Sequence, residues 1–195
     1  MASPAITFND IRIIICTQGY SLDYQYVLRE IGFCFNNQSG VIPFNCKINL
    51  KELDVKNQRS LFYLEDEVHA IKSKKTIDLG LSQSDFKSVL RTLYHMSKYQ
   101  PKDAKYIGIV RDQYIFGLLH RAGLGHLVVD LDNLSIFNAE NKCPSNVDLR
   151  IAMKNNNKYN CCYLHDQLRI NDMPICAKAK AEYVHDICEG QTINS

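Results

Sequence analysis

The chain has 195 residues, of which 46% are hydrophobic and 23% charged, as is normal for one globular domain. A formal net charge of +2 excludes proteins that bind polyanions through their overall charge alone. No apolar run is long enough to span a bilayer, and the opening MASPAITFND does not have the pattern of a signal peptide. We therefore expect an intracellular protein, cytoplasmic or nuclear, that does not bind membranes. It should have one domain over residues 1–189 and a flexible polar tail over 190–195.

The first fifty residues alternate between strand-forming runs and turn residues. Ile11 to Cys16 reads IRIIIC, which is typical of a strand that is buried on both faces. The polar residues that follow, with Gly19 among them, predict a turn. Residues 26–35 and 41–48 predict two further strands, joined by the hairpin turn NNQSG. The chain is therefore expected to open as a three-stranded antiparallel meander.

The rest of the chain alternates helical and strand patterns. Residues 61–69 carry apolar side chains at helical spacing, and a longer helix is predicted from Ser82 to about Tyr99. A strand, a helix and a strand then follow at residues 106–110, 112–122 and 127–131, before two C-terminal helices. Parallel αβ units after an antiparallel meander predict an α/β protein of the RNase H-like fold. We expect a mixed sheet of about five strands with helices on both faces.

The stretch after Lys158 contains a possible metal-binding pattern. Cys162, His165 and Cys176 form C-x2-H-x10-C, and a thiol and an imidazole three residues apart can bind one ion from a helical turn or across a tight turn. Zinc prefers such sulfur and nitrogen ligands. The same cysteines fit a buried core equally well, and three ligands are one short of a closed site.

Eight cysteines are many for a chain of this length. In a reducing compartment we expect them to be thiols or metal ligands and not disulfides. Four lie among apolar neighbours and are predicted to be core residues: Cys16, Cys34, Cys46 and Cys188.

The order of short phrases along the chain resembles the Maelstrom domain and its insect and viral relatives, which are divergent members of the DEDD exonuclease superfamily. REIGF and VIPFNCKI flank the hairpin, and KYIGIV leads through a helix to HLVVDLDNL. CPSNVDL follows, and CCYLH and CAKAKA complete the pattern. The resemblance covers roughly residues 10–188 and agrees with the RNase H-like fold expected from the order of elements.

The resemblance also implies a metal site. In Maelstrom domains the Glu of the EIG phrase joins Cys, His and Cys around a structural Zn²⁺ ion, which carries over to Glu30, Cys162, His165 and Cys176. Glu30 stands among apolar residues of a predicted strand, where a buried carboxylate needs a cation or a strong donor. The alternative is that Glu30 points outward and pairs with a Lys or Arg.

The acids of an active two-metal nuclease are missing. Such an enzyme holds two Mg²⁺ ions with carboxylates, and the first strand of the superfamily ends in Asp-x-Glu. Cys16, Thr17 and Gln18 occupy that place here, and only Asp112 and Asp130 remain near the later strands. We predict no catalytic residues of that kind. A metal-independent ribonuclease activity, which has been ascribed to Maelstrom domains, remains as an alternative.

Basic residues concentrate between the third strand and the first long helix, with Phe62 and Tyr63 nearby for base stacking. RNA contacts are predicted at Lys72, Lys74, Lys75, Lys87 and Arg91. The alternative is an ordinary solvated surface.

The leading hypothesis is a catalytically inactive, zinc-stabilised module that binds single-stranded RNA or ribonucleoprotein. The resemblance places it in small-RNA (piRNA) or mobile-element silencing with protein partners. The second is a protein-interaction scaffold of the same fold that does not bind nucleic acid.

Overall fold

The computed structural model describes residues 6–22, 25–36, 38–74, 76–99, 104–110, 112–134, 136–137, 143–155, 158–165 and 174–194. The strands are β1 (Ile11–Leu22), β2 (Gln25–Phe35), β3 (Gln38–Pro43), β4 (Tyr106–Ile109) and β5 (Val128–Asp130). The helices are α1 (Val55–Tyr63), α2 (Phe86–Met96), α3 (Gln113–Arg121), α4 (Asn146–Asn155) and α5 (Ala177–Asn194).

The five strands form one mixed sheet in the order β3-β2-β1-β4-β5. Strand β1 pairs antiparallel with β2, and β2 pairs antiparallel with β3. On its other side β1 pairs parallel with β4, which in turn pairs parallel with β5. The predicted α/β class is confirmed, with an antiparallel opening followed by parallel αβ units in an RNase H-like arrangement.

Alternate residues of β1 contribute to two hydrophobic cores on opposite faces of the sheet. Ile13 and Ile15 pack with apolar residues of α2 and α3. Ile14 and Cys16 pack on the other face against α5. Because successive side chains of a strand point to opposite faces, a run of four apolar residues is buried on both sides. Helices therefore cover both faces of the sheet, as the sequence predicted.

The predicted turn at Gly19 is wrong, because β1 continues to Leu22. The ladder between β1 and β2 instead shifts register between Gln18 and Gly19, which is a β-bulge. The continuation is held in place because Tyr20 and Leu22 are buried together with Leu61 of α1. A Cβ at Gly19 would come within 2.3 Å of the Val27 carbonyl oxygen, so close backbone approach requires the glycine.

Three other boundaries differ from the prediction. Helix α1 begins at Val55, earlier than expected, because the Asp54 side chain accepts a hydrogen bond from the Asn57 N–H at 2.7 Å and caps it. The helix continues into the π-helical turn Leu64–Val68.

Strand β3 ends at Pro43, which has no N–H to donate to a ladder. Helix α5 extends through Asn194, so the polar tail expected from residue 190 is helical where the structure describes it.

Strand β2 and the first turn of α5 pack backbone against backbone. A Cβ added to Gly32 would come within 2.1 Å of the Ala177 carbonyl carbon. Backbone atoms of a strand and a helix cannot move aside as the end of a flexible side chain can. This contact sets how closely the first turn of α5 approaches the sheet.

We predict that Gly32→Ala lowers the free energy of unfolding by about 3 kcal/mol, because the added methyl group forces β2 and α5 apart. Urea denaturation followed by circular dichroism measures the change. The matched control is Gly190→Ala in α5, where an added Cβ meets nothing within 4 Å. Since alanine favours a helix over glycine, this control should not lower stability. Equal stability of Gly32→Ala and wild type would contradict the packing of β2 on α5.

Candidate metal centre

Four side chains converge where β2 meets the start of α5. One ligand atom each from Glu30, Cys162, His165 and Cys176 lies within 4.8 Å of the other three. Bonds of about 2.0–2.3 Å place the ligand atoms of a tetrahedral site roughly 3.3–3.8 Å apart. The cluster is therefore close to the size of a closed metal site, and it could hold a metal ion.

Three separate segments supply these side chains. Glu30 lies within β2, opposite Gln18 of β1 and Pro43 of β3. Cys162 and His165 flank a turn, so of the two local geometries that the C-x2-H spacing allows, the tight turn is the one observed. Cys176 directly precedes α5. The cluster thus ties the centre of the sheet to the C-terminal segments.

The Glu30 carboxylate is fully buried and is hydrogen-bonded through both oxygens. Oε1 accepts from the backbone N–H of Ala177, the first residue of α5, at 2.7 Å. Oε2 lies 3.2 Å from His165 Nε2 and accepts from the Cys162 thiol at 3.5 Å. Within the described part of the chain, no Lys or Arg pairs with Glu30. The alternative of an outward-facing, salt-bridged glutamate is therefore excluded.

A backbone carbonyl orients the imidazole of the cluster. His165 Nδ1 donates to the carbonyl oxygen of His69, so Nε2 is the nitrogen that faces the other ligands. Histidines that bind metals are commonly held in this way. The ring of His69 accepts from the Ile71 N–H at 3.1 Å, and burial lowers the pKa of His69 to about 3. Between His69 and Ile71 the chain turns at Ala70, whose φ of 54° lies in the left-handed region.

Burial and hydrogen bonds among its members set the protonation states of the cluster. Burial raises the pKa of the Glu30 carboxyl above its ordinary value. Burial opposes protonation of His165, but hydrogen bonds to Cys176 and Glu30 outweigh it and raise the pKa of His165 to about 10. The neighbouring Cys161, Cys162 and His165 lower the pKa of the Cys176 thiol, whose sulfur accepts from the Cys162 backbone N–H at 3.5 Å. Contact with Cys176 and burial raise the pKa of the Cys162 thiol, so metal binding would release the protons that these groups hold.

The structure distinguishes between the two adjacent cysteines. Cys162, and not Cys161, belongs to the cluster of possible ligands. The Cys161 thiol donates to the Pro174 carbonyl oxygen at 3.2 Å and packs in the small core between α4 and α5. The cysteines predicted to be core residues are buried, except Cys46, which is half-buried.

A second group with metal-ligand spacing lies on the surface of α5. It consists of His185, Asp186 and Glu189. The Asp186 carboxylate is already paired with Lys158 at 2.7 Å and accepts from the Tyr159 hydroxyl at 2.6 Å. These contacts account for the group without an ion.

A cavity of about 870 Å³ opens at the carboxyl ends of β1, β4 and β5. Thr17 and Gln18 line it where the first-strand acids of a two-metal nuclease would lie, together with Asp112 and Asp130. Asp112 Oδ1 accepts from the N–H groups of residues 114 and 115 and caps α3, and its Oδ2 accepts from the Thr17 hydroxyl at 3.3 Å. Neither acid belongs to a possible ligand cluster among the described residues.

The predicted RNA contacts lie outside this cavity. The Lys72 ammonium is paired with Asp66 at 2.5 Å, and Lys74 is exposed in the loop that follows. On α2, Lys87 is exposed, whereas Arg91 Nε donates to the Ala122 carbonyl oxygen at 2.8 Å. None of these four lines the cavity, and Lys75 lies outside the described residues.

Sequence reasoning missed two contributors to the metal centre and one residue of the cavity. His69 and Ala177 act through backbone atoms, which leave no pattern of side chains to find. Lys180 of α5 lines the cavity but stands in the sequence AKAKA as an ordinary charged residue. Only the packing of α5 on the sheet brings Lys180 there.

No protein-family model matches the chain, and no curated protein is significantly similar to it. Among the helices in the described ranges, none combines the length and the apolar character needed to cross a membrane.

The contacts of Asp112 predict that it stabilises the fold as the cap of α3. We expect Asp112→Ala to lower the free energy of unfolding by about 1 kcal/mol, because α3 loses its N-terminal cap. Asp112→Asn should lower it much less, since asparagine also caps helices well. Thermal and urea denaturation measure both variants, with the exposed Asp78→Ala as the control for loss of one carboxylate. Equal stability of Asp112→Ala and the control would show that the cap contributes nothing.

Proposed function

We propose that this protein is a zinc-stabilised, Maelstrom-like module of the RNase H-like fold that binds single-stranded RNA without two-metal nuclease chemistry. The observation that carries the proposal is the buried cluster of Glu30, Cys162, His165 and Cys176. It unites the three residues of the C-x2-H-x10-C pattern with the glutamate that the resemblance implies. A role in small-RNA or mobile-element silencing rests on that resemblance alone.

The chemistry of the ligands favours zinc. Two thiols, one imidazole and one carboxylate suit Zn²⁺ and do not suit Mg²⁺, which prefers oxygen ligands alone. All four positions of a tetrahedron are taken by protein atoms, as in structural sites, whereas catalytic zinc keeps a position open for water. When bound, the ion would join β2, the turn at residues 163–164 and the start of α5.

The absence of two-metal chemistry is supported by the residues at the strand ends. Thr17 and Gln18 offer a hydroxyl and an amide where a two-metal site needs carboxylates. Asp112 is occupied as the cap of α3. The remaining carboxylate at this edge, Asp130, accepts a hydrogen bond from the Asp132 N–H at 3.1 Å.

Helix α1 presents the surface best suited to single-stranded RNA. Lys56 and Arg59 are exposed and form no ion pair within the described chain. Phe62 and Tyr63 follow on the same helix with 46% and 61% of their surfaces exposed. Residues three and four apart on a helix are neighbours, so the two cations lie on one face with the aromatic rings one turn further along. Such a face binds phosphates and stacks bases without reading sequence.

Other exposed cations extend this surface. Lys47 and Lys51 precede α1, and neither side chain is paired within the described residues. The proposal therefore centres RNA binding on α1. The predicted contact at Lys72 is weakened by its pairing with Asp66. Lys74 and Lys87 remain exposed and can contribute phosphate contacts.

For the metal, we predict that protein purified without added metal contains about one zinc ion per chain by elemental analysis. Cys162→Ser should lose the zinc, and stripping the metal with a chelator should unfold the C-terminal segments. Structural zinc contributes on the order of 10 kcal/mol in small domains, which is comparable to the whole stability of a protein.

The control for the zinc experiment is Cys143→Ser, a half-buried cysteine outside the cluster, which should keep both zinc and melting temperature. Unchanged zinc content in Cys162→Ser would overturn the proposed ligand set.

For RNA, we predict weak, salt-dependent binding of a labelled single strand, measured by fluorescence anisotropy over several salt concentrations. Lys56→Ala/Arg59→Ala should reduce the slope of log affinity against log salt by about 1.4, or about 0.7 for each lost phosphate contact. Phe62→Ala/Tyr63→Ala should weaken binding at least about tenfold with little change in slope, because stacking does not release counterions.

Lys105→Ala/Lys154→Ala removes the same charge from exposed positions elsewhere and is the matched control. It should leave the slope nearly unchanged. If the wild type does not bind RNA even at low salt, the RNA proposal fails and the protein-interaction scaffold becomes the better account.

A further inference from the structure

We propose that the cavity at the carboxyl ends of β1, β4 and β5 binds a small zwitterion with an apolar body, such as a free α-amino acid. This site is separate from the metal centre and from the RNA surface on α1. The inference rests on where the cavity lies in the sheet, on a lysine in its wall that has no partner among the described residues, and on the charges around it.

The cavity lies at the topological switch point of the sheet. From β1 the chain leads to β2 and β3 on one side, whereas β4 and β5 lie on the other. In open α/β sheets, ligands bind outside the carboxyl ends of the strands at such a point. The bulge at Gln18 and Gly19 lies in the cavity wall, and bulges often reorient side chains beside functional sites.

Lys180 brings a positive charge into this cavity. Its side chain is half-buried and lines the cavity from α5. Its ammonium group forms no hydrogen bond or ion pair with any residue that the structure describes. A half-buried ammonium group that lines a cavity can pair with an anionic group of a ligand through charge-assisted hydrogen bonds.

Two carboxylates line the same cavity apart from Lys180. Among the described residues Lys180 forms no ion pair, so groups of both charges line one cavity. The Asp112 carboxylate accepts three hydrogen bonds and has about four lone-pair sites, so it can accept one more from a ligand ammonium group. A doubly charged anion would be repelled by these acids, and a simple cation by Lys180. A ligand with one acidic and one ammonium group complements both.

The remaining walls are apolar or aromatic. Leu64, Ile109 and Val128 line the cavity, and Phe116 of α3 lines it with 47% of its surface exposed. A volume of about 870 Å³ falls within the range of roughly 300–1,000 Å³ that small-molecule sites occupy. These walls favour an amino acid with an apolar or aromatic side chain over a fully polar one.

Isothermal titration of the zinc-containing full chain with L-phenylalanine and with L-leucine tests the proposal. We expect binding by at least one of them at concentrations up to about 10 mM, which covers the weak affinities of small ligands. N-acetyl-L-phenylalanine lacks the ammonium group, and L-phenylalaninamide lacks the carboxylate. Each should bind at least about tenfold more weakly than L-phenylalanine if both charges are recognised.

A protein variant identifies the partner of the carboxylate. Lys180→Gln should weaken L-phenylalanine binding at least about tenfold and leave L-phenylalaninamide unaffected. The matched control is Lys178→Gln on the same helix, because Lys178 pairs with Glu182 at 2.8 Å and does not line the cavity. The control should bind as the wild type does. Zinc content and melting temperature verify that both variants are folded.

Three results would overturn the proposal. They are no binding of either amino acid, equal binding of L-phenylalanine and its two blocked derivatives, or binding of adenosine monophosphate in place of the amino acids. RNA binding measured on the same preparations separates the two proposals. Lys180→Gln should keep its RNA affinity, because the α1 surface does not include Lys180.

Discussion

The buried carboxylate of Glu30 is the constraint on which the arrangement of the C-terminal half depends. A charged group removed from water costs several kcal/mol unless donors or a cation surround it. Ala177 at the start of α5 and His165 in the preceding turn supply these contacts. Both segments are held against β2 for this reason. The same contacts hold α5 against the face of the sheet where it packs on Ile14 and Cys16 of β1.

The elements that sequence predicted well are those determined by neighbouring residues. The apolar run of β1, the hairpin after β2 and the turn capped by Ser82 that leads into α2 all lie in short stretches with strong local preferences. The pair Cys162 and His165 is likewise local. Glu30 lies 132 residues from Cys162, and no spacing rule connects residues so far apart. Its place in the cluster followed from family resemblance, and the geometry agrees.

The features that sequence did not predict depend on distant contacts. Gly19 has the composition of a turn, yet burial of Tyr20 beneath α1 extends the strand through it. His69 orients the imidazole of the cluster with a carbonyl oxygen that every residue possesses. In each case tertiary contact overrides what the local pattern favours.

One turn of α5 joins the metal centre to the cavity. The N–H of Lys180 donates to the carbonyl oxygen of Cys176 at 2.9 Å, so a metal ligand and the cavity cation share one rigid helical turn. If binding at the two proposed sites is coupled through this turn, the coupling is reciprocal. Whatever factor the ion adds to the affinity for a molecule at Lys180, that molecule adds to the affinity for the ion. The turn of α5 from Cys176 to Lys180 would then respond both to a bound ion and to a molecule in the cavity.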